Sequence, residues 1–459
     1  MKLKVKFFFI AAVILLMIWS CRKHDTNETL ENNAWYSGGR QTFFDQSVGA
    51  FDHIFNGLDP TEIKVHEIGD KAFDAVFVSA PAPLNSGLGP IYNNVSCVSC
   101  HVNDGRGRPP VPGSKFESLL FKISTDGKGL HGEPIPVLGY GTQIQMQGVN
   151  GVSAEANIRI NYQNITELFS DGSSVVLQKP VYQLEQLYKP INQNYYLSPR
   201  LAPPVFGLGL LEAIPMTSII ANQDPQDANG DGISGKANWV WDKTLANYNL
   251  GRFGWKAGQP SILQQISAAY NEDMGVTNPL FSIENSFSQI QYDGLNDDVE
   301  LKDSILHAVK FYMQTLGVPA RRLINTAEVV QGEKLFYSLK CQSCHIPSFT
   351  TQVDVSFPSR SYQKIYPYTD LLLHDMGVDL SDNRPEFDAD GQEWKTPALW
   401  GIGLTEKVNG HAYYLHDGRA RSIEEAILWH GGEAEQSKNR YKQLSLNERQ
   451  AVLKFIHSL

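Results

Sequence analysis

Thiols are scarce in this chain: 459 residues carry five cysteines, and their placement leaves none for a disulfide. Four lie in two short stretches, Cys97-Val98-Ser99-Cys100-His101 and Cys341-Gln342-Ser343-Cys344-His345, and the fifth is Cys21. Basic charge is scarce too. The formal net charge is −10 and no Lys/Arg stripe appears, which argues against nucleic acid as a partner. Mild acidity suits docking of a basic redox partner, although it more often serves solubility alone. The apolar run over residues 7–19 is too short to cross a bilayer with ease. Lys2, Lys4 and Lys6 precede it and Ile18-Trp19-Ser20-Cys21 closes it, the pattern of a secretion signal (1–20) ending at a lipobox-like site. An uncleaved N-terminal anchor is the alternative. Either way the body is expected outside the cytoplasm, in the periplasm or cell envelope. Lipidation of Cys21 would tie it to a membrane, with the outer membrane as the expected one.

What is present is more specific. Two cysteines separated by two residues and followed at once by histidine form a c-type haem attachment site. On one helical turn the two thiols reach the two vinyl groups of one haem, and the next residue aims its imidazole at the iron. A lone Cys-x-x-Cys could be a redox dithiol or half a zinc site. Neither needs a histidine directly after the second cysteine, and here the arrangement occurs twice. Two covalent haem c groups are expected, held by Cys97, Cys100 and His101 and by Cys341, Cys344 and His345.

Along the chain, residues 21–34 read as a polar tether. Residues 43–55 and 69–78 carry apolar residues at helical spacing. Alternation in Asn157-Ile158-Arg159-Ile160-Asn161-Tyr162, a turn at Asp171-Gly172-Ser173 and the Val/Leu/Tyr-rich stretch 174–182 predict a small β-hairpin. Helices are expected over 261–271 and 299–316, the latter stopped by Gly317-Val318-Pro319 at a domain boundary. Asn325 with Glu328 resembles a capping box opening a helix that runs into the second motif, and Ser445 with Glu448 caps the last helix. Asp227, Asn229 and Asp231 place oxygens at alternate positions, as a Ca²⁺ loop does. The twelfth position holds Asn238 in place of the usual glutamate, so an Asx-type turn competes with a bound ion. Arg106 and Arg108, in a Gly/Pro loop after the first motif, are candidates to pair haem propionates, or are solvated surface residues.

A haem iron held by one histidine keeps an open axial position, and what fills it decides between electron transfer and chemistry. For the C-terminal haem the best local case is His430. Ser422 and Glu425 cap a helix on which Ile423, Ala426, Ile427 and His430 share one face, and Gly431-Gly432 stop it. His374, Met376 and His416 are rivals.

These stretches resemble a known family. Gly87-Leu88-Gly89-Pro90, Asp231-Gly232-Ile233-Ser234-Gly235, Leu415-His416-Asp417-Gly418-Arg419-Ala420 and Trp429-His430-Gly431-Gly432-Glu433-Ala434 are similar to the di-haem oxidoreductases related to bacterial di-haem cytochrome c peroxidases. The likeness runs from about Gly38 to the C-terminus. It implies a mainly α fold of two cytochrome c-like haem domains, residues 35–320 and 321–459, the first enlarged by an insertion that carries the hairpin. It also implies that the C-terminal haem feeds electrons from a donor protein or quinol to the N-terminal haem, which reduces a small oxidant such as hydrogen peroxide. A tryptophan between the haems, Trp255 or Trp400, could relay them. In the peroxidases a methionine ligates the C-terminal haem, and its position falls on His430 here, which should lower that haem's potential. Peroxide heterolysis needs one group to move a proton and another to hold the leaving oxygen. Gln143, Gln145 and Glu212 are the candidates, each more readily read as an ordinary turn or cap residue. Some members are called thiol oxidoreductases, but no free thiol pair remains here to turn over. The alternatives are a non-catalytic di-haem electron-transfer cytochrome and, by analogy with a relative that matures a tryptophan-derived quinone, an oxidant of another protein.

Overall fold

Helices form where the sequence supplies caps. Asp59 accepts hydrogen bonds from the backbone N–H groups of Thr61 and Glu62, while Glu62 reaches back to the Asp59 N–H. This box, with Pro60 in the first turn, opens the helix Pro60–Asp74, earlier than the expected 69–78. Ser261 caps Ile262–Met274, and Ser445 with Glu448 caps Leu446–Ser458 in a full capping box. The helix Ala327–Ser338 starts without the Asn325 box, and Glu328 pairs with Lys454 instead. The computed structural model describes residues 34–110, 118–295 and 298–459. The signal-like segment and Cys21 lie outside them.

Two helix pairs are built alike. Pro60–Asp74 crosses Asp303–Gln314 so closely that a Cβ on Gly69 would lie 2.1 Å from the Ala308 carbonyl oxygen. Ala327–Ser338 crosses Leu446–Ser458 in the same way, with Gly332 facing the Ala451 carbonyl at 1.9 Å. Four residues beyond each glycine, on the same face, a phenylalanine points to a motif histidine. Phe73 lies 6.2 Å from His101 and Phe336 lies 6.3 Å from His345, ring centre to ring centre. The shared signal is Gly-[Asp/Glu]-Lys-x-Phe, read as Gly69-Asp70-Lys71-Ala72-Phe73 and Gly332-Glu333-Lys334-Leu335-Phe336.

Between the motifs strands and helices both occur, and the mainly α expectation is corrected. Helices hold 28% and strands 20%, so the fold is mixed, with many small sheets. Leu119–Lys128 pairs antiparallel with Tyr196–Leu201 on one side and Pro134–Ile135 on the other. Its alternate residues Leu119, Phe121 and Ile123 are fully buried. The hairpin forms where alternation predicts it, as Asn157–Leu168 against Ser174–Glu185. Its tip lands on the C-terminal helices: the Ser170 N–H bonds the Lys442 carbonyl, and Asp171 pairs with Arg449 at 3.0 Å. The helical spacing of residues 43–55 does not yield a helix. Asp45 takes the Ser47 N–H and hydroxyl, a local bond that competes with helix formation, and Thr42–Phe43 pairs in parallel with Val318–Pro319. Residues 36–459 form one unit with two large apolar cores, one around Phe51, Phe73 and Trp400, the other around Phe336, Trp429 and Phe455. Among the described residues no helix is long and apolar enough to cross a membrane.

Candidate functional site

Each motif makes one turn and presents its histidine to a cavity. Cys97–Cys100 is a single helical turn, and the His101 N–H closes it onto the Cys97 carbonyl at 3.0 Å. Cys341–Ser343 is a 3₁₀ turn, closed in the same way from His345 to Cys341. His101 donates its Nδ1–H to the Pro203 carbonyl at 2.7 Å, and His345 donates to the Tyr368 carbonyl at 3.1 Å. Fixing that tautomer leaves Nε2 with a free lone pair, which is how metal-ligating histidines are oriented. Burial pushes both imidazoles down to about 4, so they are neutral and able to ligate at physiological pH. Burial also pushes Cys97 and Cys341 up to about 12, the reverse of what a reactive dithiol requires.

The first cavity, about 940 Å³, is bounded by Cys97, Cys100, His101, Phe73, Gln143 and Gln145 among others. The second, about 180 Å³, has Cys341, Cys344 and His345 on its wall together with His430. His430 ends the helix Ile423–Trp429, whose Ser422 hydroxyl caps Glu425. Its Nδ1–H goes to the Ala426 carbonyl at 2.7 Å, leaving Nε2 free as at the motif histidines. Of its rivals, His374 has both ring nitrogens committed, to Asp370 at 2.8 Å and Glu433 at 2.6 Å. His416 lies flat on Trp394, 3.7 Å between ring centres, and Met376 also borders this cavity. Trp255 borders both cavities, its indole N–H fixed to the Leu201 carbonyl at 2.7 Å, whereas Trp400 borders only the first. Arg106 also faces both, and its Nη1 is buried with no hydrogen-bond partner. Oriented neutral imidazoles, paired cysteines and an unsatisfied guanidinium are the donor set that a haem with anionic propionates needs.

A model of the family described as "Di-haem oxidoreductase, putative peroxidase" matches residues 32–459. The chain belongs to that family. It is thus a di-haem redox enzyme of the peroxidase-like class. No curated protein matches it. One solved structure it resembles is described as a "MauG-like protein associated with microbial copper homeostasis", at 15% identity and a TM-score of 0.28, covering 56% of this chain and 89% of that one.

In this di-haem oxidoreductase the residues expected to handle peroxide part company. Gln143 and Gln145 are buried in the wall of the first cavity. Gln143 Nε2 bonds Asp273 Oδ1 and the Glu272 carbonyl, both at 2.8 Å, and its Oε1 has no partner. Gln145 Nε2 bonds the same Glu272 carbonyl at 2.7 Å. Glu212 does not border the cavity. It accepts the Ile262 N–H at the start of Ile262–Met274 and pairs with Arg360 at 3.0 Å. Sequence reasoning missed Asp273, on the first cavity's wall, whose carboxyl burial pushes up to about 6. It also missed Lys395, which borders both cavities. Neither lies in a motif, so only the fold brings them in.

In the Asp227 loop the side chains turn to their own backbone. Asp227 Oδ1 accepts the N–H of Asp231 at 3.0 Å and Asn229 Oδ1 accepts the same N–H at 2.8 Å, while Asp231 Oδ1 takes the Ile233 N–H at 3.0 Å. Among the described residues no group of three or more His, Cys, Asp or Glu is placed to hold a metal ion.

Proposed function

We propose that this protein is an exported, lipid-anchored di-haem c-type oxidoreductase with peroxidase-like activity. A haem c at His345 and His430 would take electrons from a donor protein or quinol, and a haem c at His101 would deliver them to a small oxidant such as hydrogen peroxide. The observation that carries the reading is the inequality of the two cavities. The narrow one has a free imidazole Nε2 on His430 as well as on the motif histidine, and the roomy one is lined by amides and a protonatable acid.

The side chains then have separate tasks. Cys97 with Cys100, and Cys341 with Cys344, would hold each porphyrin through thioether bonds to its vinyl groups. Trp255, held in the shared wall by its N–H bond to Leu201, is suited to relay electrons. Asp273 can take up and return a proton close to neutral pH, because burial holds its carboxyl up to about 6. Gln143 bonds that carboxylate with Nε2 and keeps Oε1 free for a bound oxidant. Export and the lipid at Cys21 rest on the N-terminal sequence pattern. The carboxylates around Asp227 bond their own backbone, so no Ca²⁺ enters this reading.

The test uses holoprotein with both haems attached. Cyanide should perturb the spectrum of one haem and leave the other unchanged, and Asp273→Asn should slow peroxide consumption about 10²-fold or more. If neither iron binds an exogenous ligand in any redox state, the protein is an electron-transfer cytochrome and the peroxidase reading fails.

A further inference from the structure

We propose that Arg106 and Lys395 form one cationic seat for the propionates of both haems, so that the same two charges tune both redox centres. The inference rests on the two-haem reading and adds to it residues that face both groups at once.

The argument begins with unpaired charge. Burying a cation without an anion is costly, and proteins usually pair it. Most cations along the first cavity obey this. Lys122 pairs with Glu272 at 2.6 Å, Arg200 with Glu386 at 3.2 Å and Arg384 with Glu386 at 2.7 Å, while Arg252 is spent on the carbonyls of Leu211 and Ile214. Arg106 and Lys395 break the pattern. Arg106 is only 8% exposed, its Nη1 has no partner, and among the described residues no carboxylate lies within ion-pair distance of either side chain. Burial pushes Arg106 down to about 10 and Lys395 down to about 8, the latter against the pull of Asp370, which does not reach ion-pair distance.

Their position supplies the second part. Both residues border both cavities and both meet Trp255, Arg106 through its guanidinium and Lys395 through its backbone. The Arg106 guanidinium lies 5.6 Å from the centre of a Trp255 ring and 5.7 Å from that of Tyr414, which holds it against the partition. The Lys395 N–H bonds the Trp255 carbonyl at 2.9 Å. Anions that enter from both sides of this wall and carry planar carboxylates are what haem propionates are, and a guanidinium fork matches that geometry. A cation beside a haem favours the reduced, less positive iron, so one shared pair should raise both potentials together.

Holoprotein variants Arg106→Gln and Lys395→Met test this by spectroelectrochemical titration and by the propionate-bending bands in resonance Raman spectra. Both midpoints should fall in each variant, the Raman bands of both haems should shift, and Arg106→Lys should restore most of the loss. A midpoint that moves for one haem alone, or for neither, overturns the shared seat. Where Arg106→Gln does not take up haem, Lys395→Met decides. Failure of the two-haem reading itself would be seen separately, as fewer than two covalently bound haems in the unaltered protein.

Discussion

The two cavities share a plan and differ in how they treat protons. Each has a glycine-crossed helix pair, a phenylalanine against the motif histidine and an imidazole tied to a backbone carbonyl. Around the first, alongside paired acids such as Glu272 and Glu386, three buried acids stay protonatable near neutral pH: burial pushes Asp104 up to about 7, Asp273 to about 6 against the pull of Lys122, and Glu155 to about 8. Around the second, acids are locked in ion pairs, Asp370 and Glu433 with His374, and Asp417 with Arg419 at 2.8 Å. The same position even differs across the repeat. Tyr312, beneath Gly69, donates its hydroxyl to Asp104 at 2.7 Å, where Phe455, beneath Gly332, has nothing to donate. A site that must move protons keeps groups able to gain and lose them, and a site that only passes electrons fixes its charges.

The largest expected effect is on the narrow site. His430→Ala should convert one low-spin haem to high-spin and leave the other as it was. An unchanged spectrum would shift the ligand to Met376, since His374 has both nitrogens engaged. The comparison between the helix pairs is sharpened next by Gly69→Ala and Gly332→Ala. Alanine gains up to about 1 kcal/mol of helix propensity over glycine, but here its Cβ would sit near 2 Å from a backbone carbonyl. Overpacking of about 1–3 kcal/mol or more should win, so both variants unfold at lower denaturant. Equal losses would support equivalent crossings, and a gain at either would show that the two pairs are not alike.

How much of this was legible in the sequence depends on how local each signal is. Both haem motifs, the hairpin, the Ser445 box and the cap before His430 are written within a few residues and could be read directly. The Gly-[Asp/Glu]-Lys-x-Phe repeat was present too, but it is hard to see because Phe73 stands far from Cys97 while Phe336 is close to Cys341. The fold class was not legible. Leu119–Lys128 finds its partner in Tyr196–Leu201, and strand preference is decided by such distant neighbours. Asp273, Lys395 and the Gln143 contact belong to the same class, since a cavity assembled from distant segments leaves no spacing to count.

A finer test of the proton asymmetry uses Glu155, which is fully buried and accepts the Gln145 N–H at 2.6 Å. Burial raises its carboxyl from an ordinary 4.5 to about 8, so the native state holds a proton that the unfolded chain releases. Its contribution is therefore intact below about 4.5 and lost progressively up to about 8, reaching roughly 3 kcal/mol near pH 7 at 1.4 kcal/mol per unit. Glu155→Gln keeps the acceptor without the charge. Its stability relative to the unaltered protein should rise between pH 5 and pH 8, read as a growing difference in urea midpoint. A difference that stays flat would mean Glu155 is charged in the fold, and the contrast between the two cavities would weaken.

The smallest effect is expected at the Asp227 loop, which leans on the second site through Ser234, bonded by its N–H to Glu433 at 3.1 Å. Asp224 and Asp227 carry the loop by accepting backbone N–H groups: Asp224 takes Ala228 at 2.9 Å, and Asp227 takes Gly232 at 3.2 Å. A turn closed this way needs no ion, because each carboxylate already has donors for its lone pairs. Chelator should leave Tm unchanged. A fall of several degrees that calcium reverses would mean those oxygens turn from the backbone to a cation. The loop would then be a charged brace on the second site, and that site's electrostatics would no longer be set by ion pairs alone.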